Sequence, residues 1–164
     1  MVRSIFLWTI CDCIDVPILY QLQHVHTIES GEVDMKELGV FSSVAAAEAA
    51  QSQAVILQGF CESPEDFRIV PYPLDDDDTD GPVPTQIRGL FFIMPTPYYS
   101  YEGAYLDDAD ELELIGFYSD TDKAEHALAL AQNRPEYLSR TKGHFKIFDI
   151  TVGQRAWTEG YFTA

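Results

Sequence analysis

Apolar residues recur at every second position through Ile18, Tyr20 and Leu22, and His24 and His26 continue the same face, the period-two signature of a strand with one buried side. A shorter extended run spans Leu90 to Met94. Each run is followed by a polar, acidic stretch and then by a second extended segment. That segment ends in Gly39-Val40-Phe41-Ser42 in one case and Gly116-Phe117-Tyr118-Ser119 in the other. The pattern then turns helical. Thr121 to Ala131 is rich in helix formers, has an acidic first turn and must stop before Pro135; Val44 to Leu57 is its alanine-rich counterpart. Ser43 and Asp120 are the expected N-caps, because their side-chain oxygens accept from free amides of the first turn. A third strand follows each helix, carrying Phe67, Ile69 and Tyr72 or Phe145, Ile147 and Ile150. Ile5 to Ile10, apolar on both faces, reads as an interior strand.

The two series are copies of one another. Gly39 matches Gly116 and Ser42 matches Ser119 at an offset of 77, and the register continues through Ala47, Glu48 and Ala50 against Ala124, Glu125 and Ala127. One residue later, Phe67-Arg68-Ile69 matches Phe145-Lys146-Ile147. The expected fold is α+β: two diverged strand-strand-helix-strand repeats, residues 1–80 with the N-terminal strand and residues 81–164, packed as one compact unit. The sheet is expected to be mixed or antiparallel with helices on one face, since three strands and one helix bury little alone. Asp75 to Pro84, with like-charge repulsion, Gly81 and two prolines, reads as a loop. Pro95 to Tyr105, leading into Asp107 to Glu111, reads as a second irregular loop in which aromatics stand beside carboxylates.

Charge narrows the classes of partner. The 27 Asp and Glu against 10 Lys and Arg give a formal net charge of −17, which opposes non-specific binding to nucleic acid or to an anionic membrane surface. No stretch approaches the roughly 18 apolar residues that span a bilayer. The N-terminal apolar run meets Cys11-Asp12-Cys13 without a small-residue cleavage site, so it reads as a strand rather than a leader. Three cysteines cannot all pair within one chain, and a reduced, cytoplasmic setting is the simplest expectation.

The ending Trp157-Thr158-Glu159-Gly160-Tyr161-Phe162, behind a Gly-aromatic-Ser helix start and a Phe-x-Ile strand, resembles a family of small uncharacterised bacterial domains. Members of that family typically carry one strand-strand-helix-strand copy and end in Trp-Thr-Glu-Gly-aromatic. The resemblance covers most of residues 18–74 and 89–162 and implies this fold and a bacterial or phage origin, but no activity. The first copy lacks the Trp-Thr-Glu ending, with Arg88-Gly89-Leu90-Phe91 its only candidate remnant. Trp157 and Glu159 are candidate binding residues; in the plainer reading Trp157 caps a small core and Gly160 permits a bend.

Cys11-x-Cys13 and His24-x-His26 would present four zinc ligands if their strands were adjacent, but the spacing matches no finger pattern, and core thiols beside a half-exposed strand end explain them. Asp76-x-Asp78-x-Asp80-Gly81 repeats the opening of a calcium loop, yet Ile87 stands where the bidentate acid belongs, and a solvated acidic loop is the plainer reading. No phosphate loop, nucleophile elbow, zincin motif or Cys-His pair in a catalytic context is present; Glu48 and Glu125 read as solvent-facing helix carboxylates, and His126 and His144 are isolated. The expectation is therefore a non-enzyme without cofactor or bound metal: an acidic protein that neutralises a basic protein, such as an immunity protein against a toxin or a phage inhibitor mimicking nucleic acid. Tyr98, Tyr99, Tyr101 and Tyr105 would anchor the partner, and Asp107, Asp108, Asp110 and Glu111 would steer it. The alternative is a metal-binding or regulatory module using the Cys/His or Asp clusters.

Overall fold

The computed structural model describes residues 16–27, 31, 33–75, 81–99 and 105–161, with the backbone alone for 96–99 and 105–110. The strand expected at Ile5 to Ile10, Cys11, Cys13, Asp76 to Asp80, Tyr101 and Phe162 lie outside the described residues.

Strands β1 (Ile18–Thr27), β2 (Val33–Phe41) and β3 (Phe67–Pro73) form one antiparallel sheet in the order β2-β1-β3, with helix α1 (Val44–Ala54) connecting β2 to β3. Strands β4 (Gln86–Tyr99), β5 (Tyr105–Tyr118) and β6 (His144–Thr151) form a second antiparallel sheet in the order β5-β4-β6, with α2 (Thr121–Ala131) and the short α3 (Pro135–Leu138) between β5 and β6. This is the expected α+β duplication. The expected caps are also in place, with Ser43 accepting from the Ala46 amide at 3.2 Å and Asp120 from the Lys123 amide at 2.9 Å. Helix α1 ends at Ala54 rather than Leu57, because the chain turns there toward Gly59, whose φ of 84° a side chain would resist.

The repeat holds residue by residue. Leu22 pairs with Gly39 on one side and Ile69 on the other, and Leu90 pairs with Gly116 and Ile147 in the same way. The register of the first hairpin slips directly after Leu22 and that of the second directly after Leu90. Arg88 to Phe91 are therefore the β4 counterparts of Tyr20 to Gln23 and not a remnant of the Trp-Thr-Glu ending. Each helix lays three buried alanines on its sheet, Ala47, Ala50 and Ala54 or Ala124, Ala127 and Ala131; a methyl side chain lets helix and sheet approach closely.

Each sheet carries its helices on one face. The first helix-side core contains Leu22, Leu38, Phe41 and Phe60, and the second contains Leu90 and Tyr118, with Phe92 and Tyr137 beside them. The opposite faces share one core, in which Leu19, Val40 and Leu74 meet Ile87 and Phe117, flanked by Tyr72 and Ile150. Two seams stitch the sheets together. After β3, Leu74 bridges Phe117 in parallel and the Asp75 amide donates to the Phe117 carbonyl at 2.8 Å. After β6, the Gly153 amide donates to the Val40 carbonyl, also at 2.8 Å. Asp75 and Gly153 are equivalent positions, and both have positive φ, 64° and 84°. Beyond Gly153 the chain stays on the first unit, where the Ala156 amide donates to Leu38 and the Tyr161 amide to Gln58. No helix among the described residues is long and apolar enough to cross a membrane.

Candidate functional site

The segments expected as irregular loops, Pro95 to Tyr105 and Asp107 to Glu111, fall for the most part within β4 and β5. Strand β6 accompanies β4 only as far as Ile93, opposite His144, whereas β5 continues to the pair Tyr99 and Tyr105. Met94 to Tyr99 and Tyr105 to Glu111 thus run on as a two-stranded ribbon about 20 Å long, at about 3.4 Å per residue. Prolines and acids disfavour strands locally, which hid the ribbon. Pro95 and Pro97 are two residues apart, so the amides they lack would point to the same edge, away from β5; that is the position a ladder tolerates. The same edge is where β6 would otherwise have continued.

The register places Tyr98 opposite Asp107, Pro97 opposite Asp108, Pro95 opposite Asp110 and Met94 opposite Glu111. Of the expected anchors, Tyr98 thus stands opposite a steering acid and Tyr99 opposite Tyr105, while Asp108, Asp110 and Glu111 face Pro97, Pro95 and Met94; Tyr101 lies outside the described residues. At the base of the ribbon, the Tyr137 hydroxyl donates to Glu113 at 3.1 Å and Arg140 forms an ion pair with the same carboxylate.

Trp157 and Glu159 lie on the tail that crosses to the first unit, apart from the ribbon's own sheet. Both are exposed; Trp157 has a φ of 55°, and its ring lies edge-on to Tyr161 at 6.3 Å and 5.8 Å from the Lys36 ammonium. The residue that caps the core is Tyr161. Its ring packs edge-on to Phe60 at 4.8 Å, and the buried Lys36 ammonium sits 3.8 Å above its centroid while forming an ion pair with Asp34. Burial, then the charges of Asp34, Glu62 and Asp66, push the Tyr161 hydroxyl above its usual pKa.

His24 is fully buried, packs edge-on against Phe60 and Phe67, and places Nε2 2.9 Å from the Ser63 carbonyl oxygen. Its Nδ1 has no hydrogen-bond partner. Its counterpart in the second unit is Phe92, which fills the same slot against Tyr137 and Phe145. His26 instead reaches Asp66, 2.6 Å away. Among the described residues no group of three or more His, Cys, Asp or Glu has the geometry to hold a metal ion.

The chain matches no family model, no curated protein and no solved structure.

The geometry holds a second feature, which the sequence pattern did not single out. Between the sheets the first unit contributes Gln21, Gln23, Glu37 and Tyr72, where the second unit has Gly89, Phe91, Leu114 and Ile150. The Gln23 amide donates to Gln21 Oε1 at 2.9 Å, leaving the Gln21 nitrogen to bond Glu37, and Gln23 also bonds Tyr72. Burial raises the Glu37 carboxyl above its ordinary value of 4.5, against the opposing effect of the Gln21 hydrogen bond. Burial, then the Glu37 charge, raises the Tyr72 hydroxyl. Beside Glu37 a solvent-open cleft of ≈ 240 Å³ lies along the seam between β2 and the tail, walled by Gly39, Val40 and Ile150 and rimmed by Asp149, Gln154 and Arg155. Aligning the two copies strand by strand would have flagged this layer, because all four of its polar residues face glycine or apolar counterparts.

Proposed function

We propose that the chain is a cytoplasmic, non-enzymatic binding protein that neutralises a basic protein, in the manner of an immunity protein or a nucleic-acid-mimicking inhibitor, and that the β4–β5 ribbon is its docking element. One observation carries the reading: past the end of β6, the hairpin runs on as a two-stranded arm that gathers tyrosine and acid positions, with Tyr98 opposite Asp107 and Tyr99 opposite Tyr105. A net charge of −17 adds long-range steering toward a cationic surface, and aromatic side chains supply contact area at low entropic cost.

The test is association kinetics with a panel of basic nucleases, using polylysine as the control for charge alone. Raising salt from about 0.05 to 0.5 M should slow association by more than tenfold, as screening shortens the reach of the carboxylates. Replacing Asp107, Asp108, Asp110 and Glu111 with Asn or Gln should also slow association, whereas Tyr99→Ala should mainly speed dissociation. A panel with no submicromolar binder, or binding indifferent to salt and to these substitutions, defeats the reading.

A further inference from the structure

We infer that the cleft beside Glu37 is a binding site for a cationic head group, an ammonium or guanidinium on a short aliphatic stem. Glu37 is drawn into the layer between the sheets and forms no ion pair among the described residues; its hydrogen-bond partner is the neutral Gln21 amide. Glu37 is half-buried and meets solvent through the cleft, and a carboxylate partly withdrawn from water is held better when a counter-charge meets it. The nearby cations do not fill that role. Arg155 reaches toward the Trp157 carbonyl at 3.4 Å, and Arg88 holds Asp149 at 3.1 Å. The void beside the carboxylate is about large enough for a single amino acid, with Val40 and Ile150 as apolar walls suited to a methylene stem. Gly39 lets the tail close against β2 at one wall of the cleft, since a Cβ there would stand 2.5 Å from the Gln154 carbonyl oxygen.

The duplication supplies the control. At the positions of Gln21, Gln23 and Glu37, the second unit carries Gly89, Phe91 and Leu114, and its side of the shared core closes without a polar group. The fold does not require the polar set. It persists in one half only, as expected of a binding site kept at some expense to packing.

Two sources could provide such a head group: a free amino acid or amine, or a lysine or arginine side chain of a protein. The experiment titrates the full ¹⁵N-labelled chain with L-arginine, agmatine, N-acetyl-arginine amide and, as the uncharged isostere, L-citrulline. Arginine should bind at least about tenfold more tightly than citrulline, with amide shifts at Gln21, Glu37, Gly39 and Val40. Glu37→Gln should abolish that preference while the spectrum stays dispersed. The double variant Gln21→Gly/Glu37→Leu, which copies the second unit, should bind neither probe. The blocked amide matching arginine would assign the site to a protein side chain; agmatine matching arginine without the blocked amide would assign it to a free amine, and free arginine alone binding would assign it to an amino acid whose carboxylate meets Arg155. Equal binding of citrulline, shifts confined to the ribbon, unchanged binding in Glu37→Gln, or no saturable binding of any probe overturns the assignment. Neutralising Asp107, Asp108, Asp110 and Glu111 should leave these titrations unaltered, so this inference and the ribbon reading can fail separately.

Discussion

Asp75 holds Lys123 across the boundary between the two halves, with its carboxylate 2.9 Å from the ammonium. The same side chain, only 2% exposed, accepts from the Ser119 amide at 2.8 Å just ahead of α2, while its own amide closes a seam on Phe117. Asp75→Ala removes both acceptors and places an alanine at a φ of 64°, so it should cost about 3 kcal/mol. Asp75→Asn tolerates that backbone and keeps an acceptor for Ser119, and should cost about half as much. Urea unfolding checks both; a loss under about 0.5 kcal/mol for the alanine variant would show that the seam does not depend on this residue.

Glu37 makes stability depend on pH in an unusual direction for a glutamate. Its folded pKa is raised, so between 4.5 and the folded value the native state holds a proton that the unfolded chain has released, and stability falls as pH rises through that window. Glu37→Gln should therefore raise the urea midpoint at pH 7, and the advantage over the wild type should shrink as pH drops toward 4.5. A gain that is constant with pH would assign the effect to packing.

His24→Phe copies the second unit. It deletes a buried nitrogen without a partner and forfeits one bond to the Ser63 carbonyl, so stability should change by less than about 1 kcal/mol, whereas His24→Ala should cost about 3 kcal/mol by leaving a cavity against Phe60. If the phenylalanine variant fared as badly as alanine, the histidine would have a role beyond filling that slot.

The tail depends on Gly160. Its φ is 78° and an added Cβ would lie 2.4 Å from the Gln58 carbonyl oxygen, so Gly160→Ala should cost about 2 kcal/mol and loosen the segment. Hydrogen exchange should show lost protection at the Tyr161 amide, which bonds Gln58, with the β4–β6 ladder unchanged. Retained protection at Tyr161 would mean that the tail is fixed by its side chains.

The duplication was legible because its markers are local. Gly39 and Gly116 sit where the hairpin register slips, and the buried alanines repeat at helical spacing. The ribbon was not, because Pro95, Pro97 and the acids argue against a strand until the partner strand shows which edge the missing amides face. Trp157 outranks Tyr161 in hydrophobicity, yet Tyr161 is the ring that packs on Phe60, and only the pairing of residues 153–161 with the first unit reveals that. Glu37 reads in sequence as the polar phase of an alternating strand; that this phase is covered by a second sheet is a long-range fact.

The crossed seams also bear on the order in which the molecule can be assembled. The first unit leaves the ribosome early, yet Phe60 and His24 pack against Tyr161, and Val40 waits for Gly153. Its core therefore stays partly uncovered until almost the whole second unit has been synthesised. Domain-by-domain folding during translation, the usual safeguard of tandem proteins, would leave the first unit without these contacts, and a nascent chain stalled before residue 153 would present that uncovered apolar surface to chaperones.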